Sequence, residues 1–510
     1  MGETSTKIAK NAIYNVMAFS INLAVTFLLV PLMLRYLGAT GFGVFAIVRV
    51  FVSYASLGDL GLNSTVTKYV AEYSATNRID AIERVLKAAF VLYAAVAVVL
   101  LLLALLFQQL ILDLFFSTSG DAAGDVLFVL YGSLIIFGVN MIFSILPNAL
   151  AGIQRMDLTN SVIALYSLVN GVSMYVALVA GWGLRGLVWA NALSTIVAIA
   201  ANWILFSRYM GHVRFFGSKI TRQDLRQLIG FSKHIFTVAV ATNIHQHFDK
   251  LLLSSFLNLN IVAAYEIGSR IVQQVRTIPV LMLNPLLPAA SEFHAQDRSE
   301  NLKELYLRSM KYLLAMSVPL MGCTGLFAVP FVKVWLGDAN ELIVPTIQIL
   351  IISNFINLAT GPGFYIAIGA GGVRLPMYSS LVGLSLNIVL SLVLINFFGY
   401  FGAVFGSFSA LIIASLYFLI LVHRLFDVAW TPLLKMTAKP FSALLPGFGV
   451  WWALLHITED PLVQLLSMVS LTLVLYVGTL LLLRYFDEFD KKTILSVLTK
   501  TLQFFRRLRT

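Results

Sequence analysis

The sequence predicts an all-α integral membrane protein with about fourteen transmembrane helices. Of its 510 residues, 59% are hydrophobic and only 12% are charged, whereas soluble domains are about 45–50% apolar and about 25% charged. Its mean hydropathy is +0.88. The apolar residues gather in long runs, and a helix of about 20 such residues crosses a bilayer. These observations exclude a soluble globular enzyme and leave little chain for a folded domain outside the membrane.

Each long apolar run is interpreted as a helix, because a helix satisfies its backbone polar groups within its own segment. The short alternating strands of a membrane barrel are absent from the sequence. The first run is too long for a cleavable signal peptide, lacks a small-residue cleavage site and leads into another span. The predicted spans are about 12–34, 43–66, 88–112, 125–147, 161–180, 186–206, 232–256, 263–288, 312–335, 343–368, 376–397, 402–423, 440–457 and 462–484.

Lysine and arginine indicate how these spans are oriented. With the N-terminus in the cytoplasm, 28 of the 35 Lys and Arg residues fall in cytoplasmic segments, three fall outside and four lie in the membrane. This bias is the positive-inside pattern of multi-pass membrane proteins. It predicts that both termini are cytoplasmic. It also explains the net charge of +11 without nucleic acid as a partner.

The chain repeats itself with a period of about 220 residues. LGATGFGVF at 37–45 matches LNLNIVAAY at 257–265, and Arg49 corresponds to Arg270. Six predicted helices separate the copies, so they are parallel repeats related by an axis along the membrane normal, and two six-helix lobes are expected. The predicted domains are an N-terminal lobe at 1–210, a cytoplasmic interfacial helix at 211–231, a C-terminal lobe at 232–425, two further helices within 426–485 and a basic amphipathic cytoplasmic tail at 486–510.

Polar faces in the predicted spans are concentrated in helices 1, 2, 7 and 8, which open the two repeats. Charge in hydrocarbon is costly and usually faces a bundle interior or a wet cavity. Four bases stand against three acids, so the cavity is slightly cationic and favours an anionic passenger such as a phosphate ester. The bases are Arg49, Lys250, Arg270 and Arg276, and the acids are Asp59, Asp249 and Glu266.

Structural pairing is an open alternative for several of these charges. Glu266 and Arg270 are four residues apart on a predicted helix, a spacing at which opposite charges neutralise each other. Asp249 has two candidate partners, Lys250 beside it and His245 four residues before it. Such pairs would hold helices together and would not bind a passenger.

The remaining polar residues of these helices also have structural explanations. Arg49 and Arg270 lie near the outer thirds of their helices, from which long basic side chains reach the headgroups. Asp59 lies among glycines, where a carboxylate commonly bonds neighbouring backbone. His245 and His247 point apart on a helix, as packing histidines do and metal ligands do not. Either histidine titrates near neutrality and is a candidate for coupling transport to protons.

The motifs of several enzyme classes are missing from the sequence. There is no GxxxxGK[ST] for nucleotide phosphates, no HExxH for zinc and no GxSxG for a serine nucleophile. Cys323 is the single cysteine, so no intrachain disulfide and no thiolate metal cluster can form. We therefore predict transport without catalysis, with neither a cofactor nor a metal.

Short segments of the chain carry a family resemblance. PLMLRYLGATGFG at 31–43, with LGDLG at 57–61 behind it, resembles the polysaccharide flippases of the multidrug/oligosaccharidyl-lipid/polysaccharide exporter superfamily. The O-antigen and exopolysaccharide repeat-unit flippases are the branch that it resembles most. The resemblance covers essentially the whole chain, including the repeat and the helix count. Three further stretches are similar: AGIQRM at 151–156, FDK at 248–250 followed by AY at 264–265, and PLLP at 285–288.

The resemblance implies a V-shaped, two-lobed transporter of the cell inner membrane, with polysaccharide polymerase and ligase machinery as further partners. It implies alternating access that moves a polyprenyl-diphosphate-linked oligosaccharide from the cytoplasmic to the outer leaflet, for surface polysaccharide biosynthesis. Family members hold the anionic headgroup in a cationic cavity, often with ion coupling. The implied substrate-binding residues are Arg35, Arg49 and Arg270 on the recognisable pattern, with Lys250 and Arg276 added because of their depth. The residues implied in ion coupling or gating are Asp59, His245, His247, Asp249 and Glu266.

Four other functions compete with this expectation. An ion-coupled multidrug antiporter of the same superfamily would favour acidic cavity residues, which are outnumbered here. A lipid II flippase would carry a more basic cavity. A membrane glycosyltransferase or polymerase would need a sizeable hydrophilic loop with carboxylates, and the sequence has none. A structural scaffold for polysaccharide assembly would not need charges inside the membrane. The resemblance implies a bacterial inner membrane, and an archaeal membrane is the open alternative.

Overall fold

The computed structural model describes residues 2–59, 61–116, 121–211, 246–283, 285–296, 299–337, 340–370, 374–457 and 459–488, together with 213, 221, 240, 243, 244, 372 and 490. Within these residues the regular secondary structure is entirely helical, and no strand is found. The all-α fold class is confirmed. Candidate spans recur along the whole described chain, so the protein crosses the membrane many times.

The first half of the chain forms eight α-helices and one short 3-10 turn. The turn, Ser56–Asp59, directly follows the first helix. The helices are α1 (Gly2–Ala55), α2 (Leu62–Ala75), α3 (Ile79–Leu106), α4 (Gln108–Phe115), α5 (Asp121–Phe143), α6 (Ile145–Gly152), α7 (Met156–Val179) and α8 (Gly183–Met210).

The second half begins with helical residues at 246–256 and continues through ten further helices. They are α9 (Leu259–Leu281), α10 (Leu286–Ala295), α11 (Ser299–Leu326), α12 (Ala328–Leu336), α13 (Ile343–Ala359), α14 (Gly361–Gly369), α15 (Arg374–Phe398), α16 (Tyr400–Leu425), α17 (Trp430–Ile457) and α18 (Pro461–Leu482).

Nine helices of the described residues are long and apolar enough to cross a membrane, and a bent pair raises this number to ten. The pair is α11 with α12, which meet at 66°. Gly38 breaks α1 with a φ of 69° and a ψ of 176°, a backbone conformation that glycine adopts without a steric penalty. α1 therefore contains the first predicted span and the first half of the second, which continues through the 3-10 turn into α2. The count of fourteen stays approximate, because the seventh predicted span lies partly outside the described residues.

The chain forms two compact units. The first comprises 1–267 and 380–410, and the second comprises 268–379 and 411–510. The core of the first unit brings together α2, α3, α5, α6 and the end of α8, and a core of the second joins α11, α17 and α18. The division into two sequence-repeat lobes stays a prediction. The interfacial helix at 211–231 and most of the tail at 486–510 lie outside the described residues.

The cytoplasmic end predicted for α11 is fixed to the segment that follows α18. Asp490 is fully buried and accepts hydrogen bonds from the Tyr312 hydroxyl at 2.5 Å and from the Lys311 ammonium. Lys311 Nζ also lies 3.2 Å from Asp487 Oδ2. Two helices far apart in the sequence are thus joined by charge, with Tyr485 donating to the Lys311 carbonyl at 2.9 Å.

Candidate functional site

Arg35 and Arg49, two of the predicted binding residues, are exposed cations on α1. The Arg35 guanidinium lies 5.9 Å from the Tyr36 ring centroid, and that of Arg49 lies 5.8 Å from the Phe45 ring centroid. Each cation thus lies near an aromatic ring that attracts it weakly at an exposed position. Neither contact removes the positive charge.

Lys250 is neutralised by a buried acid. Its Nζ lies 2.5 Å from Glu266 Oε2, and both side chains are at most 10% exposed. The sequence suggested Asp249 as a partner of Lys250 and Arg270 as a partner of Glu266, and the pair of Lys250 with Glu266 was not predicted. Lys250 is bonded to Glu266 and not to its neighbour Asp249, because consecutive residues on a helix point about 100° apart. A buried pair carries no net charge, so Lys250 offers little to an anion while Glu266 remains beside it.

Asp249 lies in a pocket of neutral donors within the first unit. Its side chain accepts hydrogen bonds from the Tyr265 hydroxyl at 2.8 Å, the Ser391 hydroxyl at 3.1 Å, the Asn387 amide at 3.3 Å and the Ser407 hydroxyl. Asp249 itself is 2% exposed. The four donors come from α9, α15 and α16, so a carboxylate is held here at the meeting point of several helices.

Asn387 gives this pocket an unusual feature. Its Nδ2 is engaged, but its Oδ1 is buried and has no hydrogen-bond partner among the described residues. Buried polar atoms are nearly always paired. The carboxylate of Asp249 and the hydroxyl oxygens of Ser391 and Ser407 surround the same amide. The arrangement concentrates oxygen atoms with spare lone pairs, which suits a proton or a small cation.

His247 is the one predicted histidine that falls within the described residues, and His245 lies outside them. The Nε2 of His247 lies 2.8 Å from the Ser53 hydroxyl, which in turn lies 3.3 Å from Asn243 Oδ1. The Nδ1 is buried and has no partner among the described residues. The Tyr54 ring meets the imidazole edge to face at 6.2 Å. The histidine therefore tethers the chain near 247 to α1.

Asp59 is bonded as a structural residue would be. Its Oδ1 accepts the Tyr93 hydroxyl at 2.6 Å and the backbone N–H of Asn63 at 3.2 Å, which is the local backbone contact that the sequence left open. Asn63 Oδ1 accepts further hydrogen bonds from Ser144 at 2.8 Å and from Asn148. The cluster ties the end of the second predicted span to α3, α5 and α6.

Arg276 is held by a neutral amide. Its Nη2 donates to Asn357 Oδ1 at 2.7 Å, and its Nε is buried without a partner among the described residues. No described carboxylate lies within ion-pair distance of it. The Asn357 Nδ2 donates to the Ser415 hydroxyl at 3.0 Å, and Ser415 is 1% exposed. Arg270, on the same helix, is half-buried and makes contacts of its own.

Sequence reasoning missed Asn357 and Ser415, as it missed Asn387, Ser391 and Ser407. All five are uncharged polar residues inside strongly apolar runs. Such residues often bond to their own helix backbone, so a single sequence does not separate the functional ones. The sequence does carry one signal, a polar side chain near the middle of an apolar run. Asn357, the last residue of ISNFIN at 352–357, is an example.

The two repeat openings touch each other inside the first unit. Thr40 donates to Asn260 Oδ1 at 2.7 Å across a separation of 220 residues, which equals the repeat period. Thr40 and Asn260 occupy the same position in LGATGFGVF and LNLNIVAAY. A Cβ added at Gly43 would stand 2.8 Å from the Leu259 carbonyl carbon and closer still to its oxygen. The contact therefore depends on a residue without a side chain.

Comparison with known proteins identifies the family of the chain, several similar proteins and solved structures with a similar fold. A family model described as Polysaccharide biosynthesis protein matches residues 8–294, and one described as MatE matches residues 235–393. The chain is 20% identical over 415 residues to the probable flippase AglR of Haloferax volcanii, covering 80% of this chain and 83% of that protein. It is 22% identical over 350 residues to a putative O-antigen transporter of Shigella flexneri, covering 66% and 78%.

A solved structure described as lipid II flippase MurJ in an inward closed conformation is similar with a TM-score of 0.70. The likeness covers 94% of this chain and 99% of that one at 12% identity, so it shows the fold alone. The family resemblance predicted from the opening motif is confirmed. Because the first family model spans more than half of the 510 residues, the chain belongs to the polysaccharide biosynthesis protein family.

Proposed function

We propose that this protein is a flippase. It moves a polyprenyl-diphosphate-linked oligosaccharide from the cytoplasmic to the outer leaflet, and the product serves surface polysaccharide biosynthesis. The observation that carries the proposal is the partly buried guanidinium of Arg276, which an amide and no acid accompanies among the described residues. The family and the relatives named as a flippase and as an O-antigen transporter support the same function. The protein transports and is not an enzyme.

The passenger's diphosphate needs positive charge wherever it leaves water. Burying an unpaired anion is very costly, and guanidinium groups match phosphate with two parallel hydrogen bonds. Arg276 is the main ligand in this scheme, with Arg270 one and a half turns earlier on α9. Arg49 and Arg35 provide exposed positive charge on α1. Lys250 offers its charge to an anion only when Glu266 moves away from it.

Alternating access requires a contact that closes the outer side and then breaks. The contact of Thr40 with Asn260, backed by Gly43 against Leu259, joins the loops that follow the first and seventh predicted spans. Both loops are outside in the predicted orientation. We assign the outer closure to this contact, because a residue that meets its own repeat counterpart lies where the two copies approach each other.

Asp249 is the residue to which we assign ion coupling. It is a buried carboxylate whose described partners are neutral donors, so no described cation occupies the place that a coupling ion would take. Asp59 and Glu266 are less suited, since the first bonds a tyrosine and the backbone and the second bonds Lys250. His247 remains a candidate for gating through its hydrogen bond to Ser53.

The proposed location is the cell inner membrane, with both termini in the cytoplasm. The basic segments then lie on the side where lipid-linked sugars are assembled and anionic lipids attract lysine and arginine. The flipped product must next meet enzymes that polymerise or transfer the glycan outside. Polymerase and ligase machinery are therefore the expected neighbours of this transporter.

The test is the location of lipid-linked oligosaccharide after depletion of the protein. Mass spectrometry of extracted polyprenyl-diphosphate glycans identifies complete repeat units, and an impermeant lectin on spheroplasts reports the leaflet. Accumulation on the cytoplasmic side, with loss of surface polysaccharide, is expected. Restoration by the wild-type chain but not by Arg276→Gln, at equal protein level, would connect the site to the activity. No accumulation in a strain without a redundant flippase would exclude the proposal.

A multidrug antiporter is the second candidate, because the MatE family model matches 235–393. Such a protein would export cationic drugs, for which the amide-held cation at Arg276 is a repulsive neighbour. Drug resistance on overexpression separates the two functions. The expected result is unchanged susceptibility to cationic drugs in cells that overproduce the protein and retain surface polysaccharide.

A further inference from the structure

We infer that Asn357 and Ser415 are positioning residues that keep Arg276 positively charged and oriented toward an anionic diphosphate headgroup. The inference rests on the proposed function and names two residues of the second unit that the sequence did not single out. Three helices contribute one residue each: Arg276 from α9, Asn357 from α13 and Ser415 from α16.

The first step is the choice of an amide as the partner of a partly buried guanidinium. Two other cations with little exposure have acids beside them: Lys250 has Glu266 and Lys311 has Asp490. Arg276 has Asn357 at 2.7 Å instead. An amide oxygen fixes the guanidinium without cancelling its charge. The full positive charge is therefore left for a mobile anion.

The second step is the direction of the hydrogen bonds. A guanidinium only donates, so Asn357 must face it with its carbonyl oxygen. The NH2 group then faces the Ser415 hydroxyl, which accepts it at 3.0 Å. The Ser415 hydroxyl holds the NH2 group of Asn357 away from the guanidinium. Without it, the amide would be able to turn over and face Arg276 with its NH2 group. Ser415 thus sets the orientation that Arg276 requires.

The third step concerns the Nε–H of Arg276, a donor that Asn357 does not engage. The Nε of Arg276 is buried and makes no hydrogen bond among the described residues, while the side chain as a whole is only partly buried. A buried donor without a partner is rare and indicates a missing acceptor. Because Nη2 is occupied by Asn357, the phosphate oxygens are expected at the Nε and at the remaining Nη hydrogens. Gln273, one turn earlier, is held by Asn354 at 3.5 Å on the same pair of helices.

The decisive variant is Asn357→Asp, which keeps the shape of the side chain and places a carboxylate against Arg276. Purified protein in detergent is titrated with geranyl diphosphate by calorimetry, and geraniol serves as the uncharged counterpart. We expect binding of the diphosphate to weaken at least tenfold in Asn357→Asp, with thermal stability equal to or above that of the wild type. A residue that only supports the fold would lower stability and spare the affinity.

Ser415→Ala provides a second, independent variant. It should weaken diphosphate binding by a smaller factor than Asn357→Asp does. The matched control is Ser353→Ala on α13, a fully buried serine whose hydroxyl bonds the backbone of its own helix. If Asn357→Asp does not fold, the comparison of Ser415→Ala with Ser353→Ala decides. Equal affinity of those two variants, or wild-type affinity in Asn357→Asp, would overturn the inference.

The outcome is separable from that of the proposed function. If the wild type binds geranyl diphosphate through Asn357 but does not export lipid-linked glycan, the two positioning residues stand and the flippase proposal fails. If the wild type exports the glycan and Asn357→Asp exports it equally well with unchanged affinity, the flippase proposal stands and the positioning role is wrong.

Discussion

Gly43 offers a sharp test of the outer closure, because its substitution acts on one contact. In Gly43→Ala the new Cβ would lie 2.8 Å from the Leu259 carbonyl carbon, whereas ordinary contacts begin at 3.4 Å. The two segments must separate by more than the roughly 0.6 Å that this carbon alone requires, because the Leu259 carbonyl oxygen is closer still, and the hydrogen bond between Thr40 and Asn260 lengthens with them. Overpacking of this kind costs about 1–3 kcal/mol. The closed form should therefore lose population by roughly 5- to 150-fold relative to the open one, since about 1.4 kcal/mol is tenfold.

The assay uses Leu259→Cys, a buried position under Gly43, in a Cys323→Ser background that removes the single native thiol. An impermeant maleimide added to intact cells should label this cysteine faster in the Gly43→Ala protein than in the parent. The matched control is Gly124→Ala, where an added Cβ meets nothing within 4 Å. Equal labelling rates in the Gly43→Ala and Gly124→Ala proteins would refute the assignment of the outer closure.

Three further outcomes concern charged side chains. Lys250→Ala should destabilise the protein by about 3–5 kcal/mol because it takes the ammonium away from the buried carboxylate of Glu266, whereas Lys250→Met with Glu266→Leu should recover most of this in thermal unfolding; equal stability of Lys250→Ala and wild type would contradict the pair. Asp249→Asn should make flipping, measured in proteoliposomes, independent of pH and of added Na+; retention of the wild-type ion dependence would remove Asp249 from the coupling role. The backbone N–H of Asp490 and the ammonium of Lys311 hold the pKa of Asp487 below its usual 3.8. Asp487 therefore contributes fully to the contact between α11 and the C-terminal segment at pH values above 3.8. This contribution is lost as the pH falls through the lower pKa that Asp487 has in the folded protein. Protease cleavage after 488 should increase only below about pH 4, and a rise already at pH 6 would exclude this cause.

The sequence was sufficient where hydrophobicity and chain geometry decide the outcome. The break at Gly38 was predicted as the gap between two apolar runs, and the helix at 259–281 was predicted within a few residues of its observed start. The burial of Lys250 also agrees with its position in an apolar run. These features depend on local composition, which each segment carries in itself.

The sequence was insufficient where pairing depends on how helices meet. Lys250 has an acid next to it in the sequence and another 16 residues on, and the second is its partner. A single chain cannot rank those two, because the choice depends on the rotation of each helix about its axis. Asn357 and Ser415 are harder still, since 58 residues separate them and neither is charged. The role that we infer for them comes from Arg276, whose Nε lacks a partner among the described residues, and no pattern in the sequence reveals this.

The contrast between neighbouring residues 249 and 250 gives the proposed ion coupling a physical route to passenger binding. Asp249 has neutral partners and Lys250 has a charged one, yet both project from the same helical turn. In the proposed scheme, a proton or cation at Asp249 would remove a negative charge one residue from Lys250 and so strengthen the hold of Glu266 on Lys250. Release of that ion would restore the competing carboxylate, weaken the same hold and let Lys250 turn toward an anion. Consecutive residues with opposite surroundings would thus allow the ion to set how much positive charge Lys250 presents to the passenger.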